Sequence, residues 1–494
     1  MLKKKLLQIK INKQVKKEVY FIGIKGVGMT MLAQFLQAKG DMVSGSDVAE
    51  SFLTDKVLRD AKIKVYNGFS PDNIPGELDL IVYSSAYNEK NNPELGYIKN
   101  NKKDFSKVKL LSYAEALGEV FNTYQGISVC GSHGKTTTSA WLGYVLQKAN
   151  KKPNVLVGSR VPQFKGSSLI GSSKIFIAET DEYQNKLRFF NPFGVVLNNI
   201  DYDHPDFFKD KASYIKVFRD FIKRIPETGF LVANYGDIQV KKVSKSCLAK
   251  IISYDLETET LKTDFSRRNK AVAGTDKEVV NYFAFALKIK GLKQSFQINN
   301  LGEFKISLLG RHNIKNALAV IAAALELGVS LKDIKKHLSS FKGTERRSQI
   351  LGTYNQAIYI DDYAHHPTEI QATLESLKTF YHTKKIITVF HPHTFTRTKA
   401  LFNDFVRSFK DTDELIVLDI YGSAREKQGG ITSAKLVKEI NTFYKKEKRN
   451  IIAKNIKTLK EVASYLKLNA KSNDLVVLMG AGDVFRVWEY LKKS

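Results

Sequence analysis

The run Gly126-Ile-Ser-Val-Cys130-Gly-Ser-His-Gly134-Lys135-Thr136-Thr137-Thr138 constrains this chain more than any other stretch, because strand, glycine turn and helix start follow one another in it without a break. Ile127 to Cys130 is short and apolar enough for a buried strand, and Ser139 to Leu146 continues as a helix whose first amides point at an anion. Gly131 and Gly134 let the backbone wrap closely around phosphates, with Ser132 and His133 between them and Thr137 just beyond. Lys135 reaches the β- and γ-oxygens, and the Thr136 hydroxyl suits a Mg²⁺ (or Mn²⁺) ion. Two residues separate the glycines where the common phosphate loop has four, so this is a shortened variant. The chain is expected to bind a nucleoside triphosphate.

A chain of 494 residues is too long for one core and suggests about three domains. Lys and Arg number 78 against 50 Asp and Glu, a formal charge of +28. Such a balance raises nucleic acid as a partner, but the lysines are spread along the whole chain and form no basic block with interleaved aromatics. No nucleic-acid partner is expected, and attraction of small anions is the more economical consequence. With only Cys130 and Cys247, a disulfide framework is implausible and a reducing compartment is expected. The basic N-terminus, broken by Lys10, Lys13 and Gln14, does not read as a signal peptide, and no window approaches the ~20 apolar residues of a membrane span. The protein is therefore read as cytoplasmic, without a membrane partner.

Short apolar strands alternate with helical stretches through most of the sequence, so the fold class expected is α/β. In the first segment Val19–Ile22 leads into the glycine turn Gly23-Ile-Lys-Gly26-Val27-Gly28 and the helix Met29–Ala38. Met42–Ser44 leads to Gly45-Ser46-Asp47, and Leu78–Tyr83 to Ser84-Ser85-Ala86. This is Rossmann-like βαβ logic, and Asp47 lies about where an acidic residue would meet a ribose, which brings an NAD-dependent oxidoreductase into consideration. The glycine order is GxxGxG rather than GxGxxG, however, and supports the fold rather than the ligand. A boundary near residue 121 precedes the phosphate loop, and a second lies near 342. The expected domains are thus 1–121, a central P-loop domain 122–342, and a C-terminal Rossmann-like domain 343–494.

Polar residues gather at strand ends. In the second segment Lys174–Ala178 ends in Glu179-Thr-Asp-Glu182, and Phe193–Ile200 in Asp201-Tyr-Asp-His204-Pro. Glu179 is the hard oxygen ligand a triphosphate-bound Mg²⁺ needs beside Thr136, and His204 is a softer candidate. In the third segment Ala357–Ile360, Lys385–Phe390, Leu415–Leu418 and Leu475–Leu478 each end in polar tails. In an open parallel sheet these line one edge, the place where ligands bind. Ile370, Leu374 and Leu377 between them are core spacing and nothing more. Asn313 and Asn316, one helical turn apart, either read an adenine edge or serve as an N-cap and a solvated amide. His365-His366 and His391/His393 lack a cysteine companion and do not read as a zinc site. Arg346 and Arg347, at the second junction, are placed where a hinge could carry a guanidinium to a triphosphate. Residues 237 to 305 show mixed periodicity and are assigned no chemistry.

Taken in order, these motifs resemble the Mur ligase superfamily, ATP-dependent enzymes that build the peptide of bacterial cell walls. The resemblance runs from Phe21–Met29 through Asn92-Pro-Glu94, Gly131–Thr138, Asn199–Pro205, Gly310–Ala317, Phe341–Arg347, Asp361–Thr368 and His391–Thr398 to Met479–Asp483. It implies a first domain for a UDP-sugar, a central ATPase, and a third domain that closes over ATP and receives an amino acid. The nearest likeness is to members that attach L-alanine to UDP-N-acetylmuramate through an acyl phosphate. Carried over by residue, the resemblance puts Lys135, Arg347 and His365 in catalysis, and Gly131 to Thr137, Asn313, Asn316 and Asp362 on ATP. It puts Thr136, Glu179 and His204 on the metal, and Tyr363, His393 and Arg397 near alanine. Gly23, Gly26, Val27, Gly28, Ser46, Asp47, Ser84 and Ser85 face the UDP-substrate. A monomer or homodimer is implied.

Four positions depart from the family pattern. Lys25 replaces a glycine and would add positive charge near the diphosphate. Thr180 replaces an alanine, and Thr394 stands where some members carry arginine. Arg219 falls where other ligases carry a carbamylated lysine, so no carbamyl-lysine is expected. The competing reading within the superfamily is a recycling ligase that adds a preformed tripeptide. Outside it stand the NAD-dependent oxidoreductase and a basic ATPase acting on nucleic acid.

Overall fold

The computed structural model describes residues 16–52, 54–256, 279–422 and 429–492. The basic N-terminal stretch and part of the 237–305 region therefore lie outside the described residues. The chain divides into two compact units, 1–117 and 118–494. Among the described residues three sheets organise it, an α/β architecture as the alternation of strands and helices implied.

In the first unit β1 (Glu18–Ile22), β2 (Met42–Asp47), β3 (Lys64–Asn67), β4 (Leu80–Tyr83) and β5 (Lys109–Ser112) pair in parallel in the order 3-2-1-4-5. Parallel neighbours need crossovers, and the helices Val27–Ala38 and Pro93–Asn100 supply two of them. The strand order reverses between β1 and β4, so the residues after those strands border the crevice where such sheets take ligands. Tyr20, Ile22, Ile81, Leu95 and Ile98 form the core on one face. Met29, Leu32 and Phe35 of the helix Val27–Ala38 are also buried.

The second unit carries two sheets. Its larger sheet runs β15-β14-β13-β12-β11-β10-β6-β9-β7-β8. The strands are β6 (Gln125–Cys130), β7 (Asn154–Val161), β8 (Gly166–Leu169), β9 (Ile175–Glu179), β10 (Gly194–Leu197), β11 (Phe230–Asn234), β12 (Lys250–Leu256), β13 (Val279–Lys290), β14 (Lys293–Ile298) and β15 (Gly302–Ile306). From β7 through β9, β6, β10, β11 and β12 to β13 the pairing is parallel, whereas β8 and the β14–β15 extension pair antiparallel. The helix after β6 starts at Lys135, four residues before the apolar run that announced it, because Gly134 supplies a left-handed N-cap (φ +78°). That helix is buried along its length. Trp141 Nε1 donates to the Leu338 carbonyl at 3.1 Å and its ring stacks on Phe341 at 5.4 Å.

The smaller sheet runs β16-β17-β21-β18-β19-β20, with β16 (Gln349–Tyr354), β17 (Ala357–Asp362), β18 (Lys385–Phe390), β19 (Glu414–Val417), β20 (Ile452–Asn455) and β21 (Asp474–Met479). All but β16 are parallel. The four polar tails consequently emerge along one edge, as anticipated. Asp361 and Asp362 are still inside β17, paired with Leu478 and Met479, although their side chains are polar. Ile370, Leu374 and Leu377 are buried in the core of this sheet.

Candidate functional site

β6 lies between β10 and β9, so the tails of three parallel strands meet at the phosphate loop. Gly131 has φ +123°, and a Cβ there would stand 2.8 Å from the Asn199 carbonyl oxygen. Lys135 Nζ donates to the Gly131 carbonyl at 2.7 Å and lies 3.3 Å from Glu182 Oε2. Burial alone would discharge this ammonium; the carboxylates of Glu182, Asp181 and Glu179 outweigh it and hold the pKa above its ordinary value. Thr136 Oγ1 donates to Glu179 Oε1 at 2.8 Å, and the other Glu179 oxygen accepts from the Gly158 amide at 2.7 Å. His204 stands at the same edge, its Nε2 3.9 Å from Glu182 Oε1 and its ring against Tyr183.

Asp181, Glu182 and His204 bring three ligand atoms within 4.8 Å of one another. Thr136 and Glu179 form a separate oxygen pair after β6 and at the end of β9, and hard oxygens of this kind are what a divalent Mg²⁺ or Mn²⁺ takes. The sequence reading named Glu179 and His204 but missed Asp181, Glu182 and Tyr214. Tyr214 OH donates to Glu182 Oε1 at 2.8 Å and stands 2.8 Å from Ser132 Oγ. The signal for the two acids was the run Glu179-Thr-Asp-Glu182 itself; for Tyr214, a mid-helix tyrosine, there was none. Thr180 has a local reason: its hydroxyl pairs with Ser128 Oγ on β6 at 2.6 Å. On the helix Lys211–Ile222, Tyr214 points inward, Arg219 is exposed, and Lys216 pairs with Asp220 on the outer face.

A cavity of about 500 Å³ opens beside the loop, lined by His133, Thr137, Asn313, Asn316, Arg347 and Asp362 among others. Asn316 is buried, donates to Asn313 Oδ1 at 3.1 Å and accepts from Thr138 Oγ1 at 3.3 Å. Gly310, not Asn313, caps the helix Arg311–Glu326, and Asn313 Nδ2 donates to the Leu309 carbonyl. The capping and solvated-amide alternative is thereby removed. Asp237, Gln239 and Tyr254 also line the cavity, from a region whose mixed periodicity points to no chemistry.

The two arginines at the junction divide their work. Arg346 holds Asp361 at 3.1 Å and the Gly480 carbonyl at 2.8 Å, while Arg347 faces the cavity with Tyr363 under its guanidinium. Asp362 is fixed by the Ser348 amide and hydroxyl at 2.7 and 2.9 Å. His365 is half-buried and its pKa falls to about 3, chiefly through desolvation, so its ring is neutral. The rings of Tyr363, His365, His393 and Tyr421 form a chain, with centroids 5.4, 6.5 and 5.8 Å apart. Arg397 is buried, and its Nε and Nη2 donate to the two Asp203 oxygens at 3.0 and 3.3 Å. The guanidinium assigned to alanine is thus oriented by a carboxylate of the β10 tail. His133, Asp201 and His366 also converge, but both ring nitrogens of His133 face carboxylates and have no lone pair left for a metal.

In the first unit the turn after β1 is held by backbone and by Asp47. The Gly23 and Ile24 amides donate to the Ser46 carbonyl, and Asp47 accepts from the Lys25 and Val48 amides at 2.6 and 2.8 Å. Tyr87 packs so close that a Cβ on Gly23 would meet its ring at 2.7 Å; Tyr113 does the same to Gly28. Gly26 caps the helix Val27–Ala38 without a side-chain bond, and no acidic residue stands in the first turn. Ser84, whose amide donates to the Ile22 carbonyl, and Ser85 follow β4 at the crevice. Ser46 is fully buried and donates to Glu94 at 2.6 Å, so its hydroxyl serves the scaffold. Lys25 corrects an expectation: its ammonium donates to the Val48 and Glu50 carbonyls at 2.7 and 2.9 Å and faces Asp55 at 3.6 Å. It fastens the chain after β2 instead of charging the turn. The oxidoreductase reading loses its acidic residue as well, since the Asp47 oxygens already tie the turn.

Three stretches of the chain match the Mur ligase family: residues 18–125 its catalytic domain, 129–324 its middle domain and 346–482 its glutamate ligase domain. A UDP-N-acetylmuramate--L-alanine ligase from Clostridium kluyveri is 40% identical over 475 residues, 96% of this chain and 97% of the relative. One of the same name from Alkaliphilus metalliredigens is 38% identical over 476 residues, 96% and 97% of the two chains. Among solved structures, a UDP-N-acetylmuramate-alanine ligase from Thermotoga maritima superposes with a TM-score of 0.74 at 22% identity, covering 97% of this chain and 99% of that one, a likeness of fold.

Proposed function

The chain belongs to the Mur ligase family, and from that premise we propose that it joins L-alanine to the lactyl carboxylate of UDP-N-acetylmuramate at the expense of ATP, in peptidoglycan precursor synthesis. One observation carries the reading: near-full-length relatives at 40% and 38% identity bear that activity in their names. The geometry supports it, because a phosphate loop with its lysine opens on a cavity that Arg347 and Asp362 of the following segment also line. Residues 1–121 hold the UDP-sugar through Gly23, Gly26, Val27, Gly28, Ser84 and Ser85, while Ser46 and Asp47, named with them from the sequence, act from within by fixing the turn. Residues 122–342 hold ATP, and 343–494 close over it. The enzyme works in the cytoplasm as a monomer or homodimer; among the described residues no helix is long and apolar enough to cross a membrane.

The chemistry has two steps. A lactyl carboxylate oxygen attacks the γ-phosphorus, the bond to the β-phosphate oxygen breaks, and ADP leaves an acyl phosphate behind. The alanine amine then attacks the acyl carbon; the tetrahedral adduct sheds phosphate, and the nitrogen gives up its proton to become an amide. The first step needs charge neutralisation and positioning more than covalent help. Lys135 supplies a held cation at the loop, and Arg347 a second from across the cavity. Asn313 and Asn316 read the adenine. Thr136, Glu179 and His204, with Asp181 and Glu182, would hold a divalent cation, which would supply positive charge to the triphosphate. Tyr363, His393 and Arg397 place alanine, Arg397 being steadied by Asp203. Packing of the last segment against the phosphate loop keeps water from the acyl phosphate.

The test supplies ATP and UDP-N-acetylmuramate with either L-alanine or the tripeptide, and follows ADP release. Release with alanine is expected; release with the tripeptide alone would make the chain a recycling ligase.

A further inference from the structure

Glu369, on the helix Pro367–Phe380, gathers groups from three separate stretches of chain, and nothing above gives it a part in the reaction. Its Oε1 lies 3.2 Å from His133 Nδ1 of the phosphate loop and 3.7 Å from Arg347 Nη1. Its Oε2 accepts from the His365 amide at 3.2 Å, with the His365 ring nitrogen 3.5 Å away. The carboxylate is only 10% exposed and borders the nucleotide cavity. On the far side of His133, Nε2 lies 3.1 Å from Asp201 Oδ2, which also accepts from the Thr368 hydroxyl at 2.6 Å. A neutral imidazole has one N–H and carboxylates only accept, so a ring flanked by two of them is protonated on both nitrogens.

We propose that Glu369 is a positioning residue of the phosphoryl-transfer step, acting through His133 and Arg347: one carboxylate fixes a loop imidazolium and a guanidinium from the closing segment in a single arrangement. The inference rests on the ATP-ligase reading above. Its physical content is preorganisation, since two cations held before the reaction need not reorient as charge spreads over the transferred group. Glu369 does not itself attract a triphosphate; a negative group there repels one. The two effects predict opposite signs in two measurements.

In Glu369→Gln, which keeps the size and one acceptor oxygen, kcat for alanine-dependent ADP release should fall by about tenfold or more. Calorimetric affinity for ATP should stay level or tighten. His133→Gln should lower kcat comparably, and the double variant should be little worse than either single, because the pair acts as a unit. The groups facing the His133 ring are Asp201 from the β10 tail, Glu369 from the helix Pro367–Phe380 and His366 from the N-cap of that helix, the His366 ring 4.9 Å away. Burial opposes protonation of His133, but the two carboxylates prevail and raise its pKa to about 9. Ring resonances of His133 should therefore titrate near there in the native chain and at lower pH in Glu369→Gln. Parallel loss of turnover and ATP affinity, multiplying losses in the double variant, or an unmoved His133 titration would each overturn the proposal. Absence of alanine-dependent turnover in the native chain would instead sink the ligase reading, and the His133 titration would still judge the contact. Tryptophan fluorescence melting of each variant confirms that the second unit is folded, and His133→Gln tests the contact from the other side if Glu369→Gln is not.

Discussion

The chain builds two glycine turns between a parallel strand and a helix, Gly23–Gly28 after β1 and Gly131–Gly134 after β6, and equips them oppositely. In the first, the lone lysine is turned into its own scaffold, where Val48, Glu50 and Asp55 hold it. An aspartate ties the turn from beneath, and nothing titratable besides these stands in it. In the second, Lys135 sits at the loop mouth among acids, and His133 in the loop is gripped from two sides. A shared backbone device therefore says only that phosphate can approach. Fixed cations and the carboxylates that hold them decide whether phosphoryl chemistry follows.

The largest effect should come from removing the cation that separates the two turns. Lys135→Ala is expected to lower ATP-dependent amide formation by about a thousandfold or more, the scale of losing a fixed charge at a phosphoryl transition state. Binding of UDP-N-acetylmuramate, which we assign to the first unit, should remain when followed by calorimetry. Loss of both together would break the comparison, since it would mean that one site serves both ligands.

The next effect is steric. A methyl on Gly131 meets the Asn199 carbonyl oxygen at 2.8 Å and its amide nitrogen at 2.9 Å, both backbone atoms, at φ +123°. Gly131→Ala should cost about 3 kcal/mol or more in the second unit. The corresponding change in the first turn, Gly26→Ala, meets nothing closer than 3.7 Å at an ordinary φ of −58°. It should change stability by no more than about 1 kcal/mol in either direction, since restricting the unfolded chain offsets the poorer N-cap that alanine makes. Chemical denaturation of both variants measures the contrast, and equal costs would refute it.

Much of this was legible in the sequence. Strand identity came from short apolar runs and the turns from glycine, because backbone geometry forces those residue choices locally. Strand ends were less legible. Glu179, Asp361 and Asp362 carry polar side chains yet remain in register with Val129, Leu478 and Met479, since pairing is a property of the backbone. Direction was not legible at all: Lys25 in a glycine turn looks like a phosphate ligand until the carbonyls of Val48 and Glu50 are seen around it. The partners Asp203 and Glu369 lie 194 and 236 residues from the groups they hold, Arg397 and His133, and no local pattern announces so distant a contact. Asp237 and Gln239 reach the cavity from a stretch whose antiparallel continuation of the sheet blurred its period.

The smallest effect separates the two units by pH. All nine histidines of the chain lie beyond residue 117, and so do both tryptophans, Trp141 and Trp488. His133 has a folded pKa raised from 6.5 to about 9 despite its burial, by Asp201 and Glu369. Its contribution to stability is complete below pH 6.5 and is lost as the pH rises through about 9. His312 and His365 run the other way. Desolvation lowers them to about 4 and about 3, so what they contribute is complete above pH 6.5 and is lost as the pH falls through those values. The second unit should therefore show a stability maximum between the two limbs, with melting temperatures declining by about 2–4 °C for each kcal/mol lost on either side. Tryptophan fluorescence reports that unit alone. The first unit, having no histidine, should keep the same amide-exchange protection from pH 6.5 to 9 once exchange is corrected for its intrinsic pH dependence. In His133→Gln the alkaline limb should flatten while the acid limb stays. A limb that persists there would place the titration elsewhere, and a matching pH response in the first unit would remove histidine chemistry as the difference between the two turns.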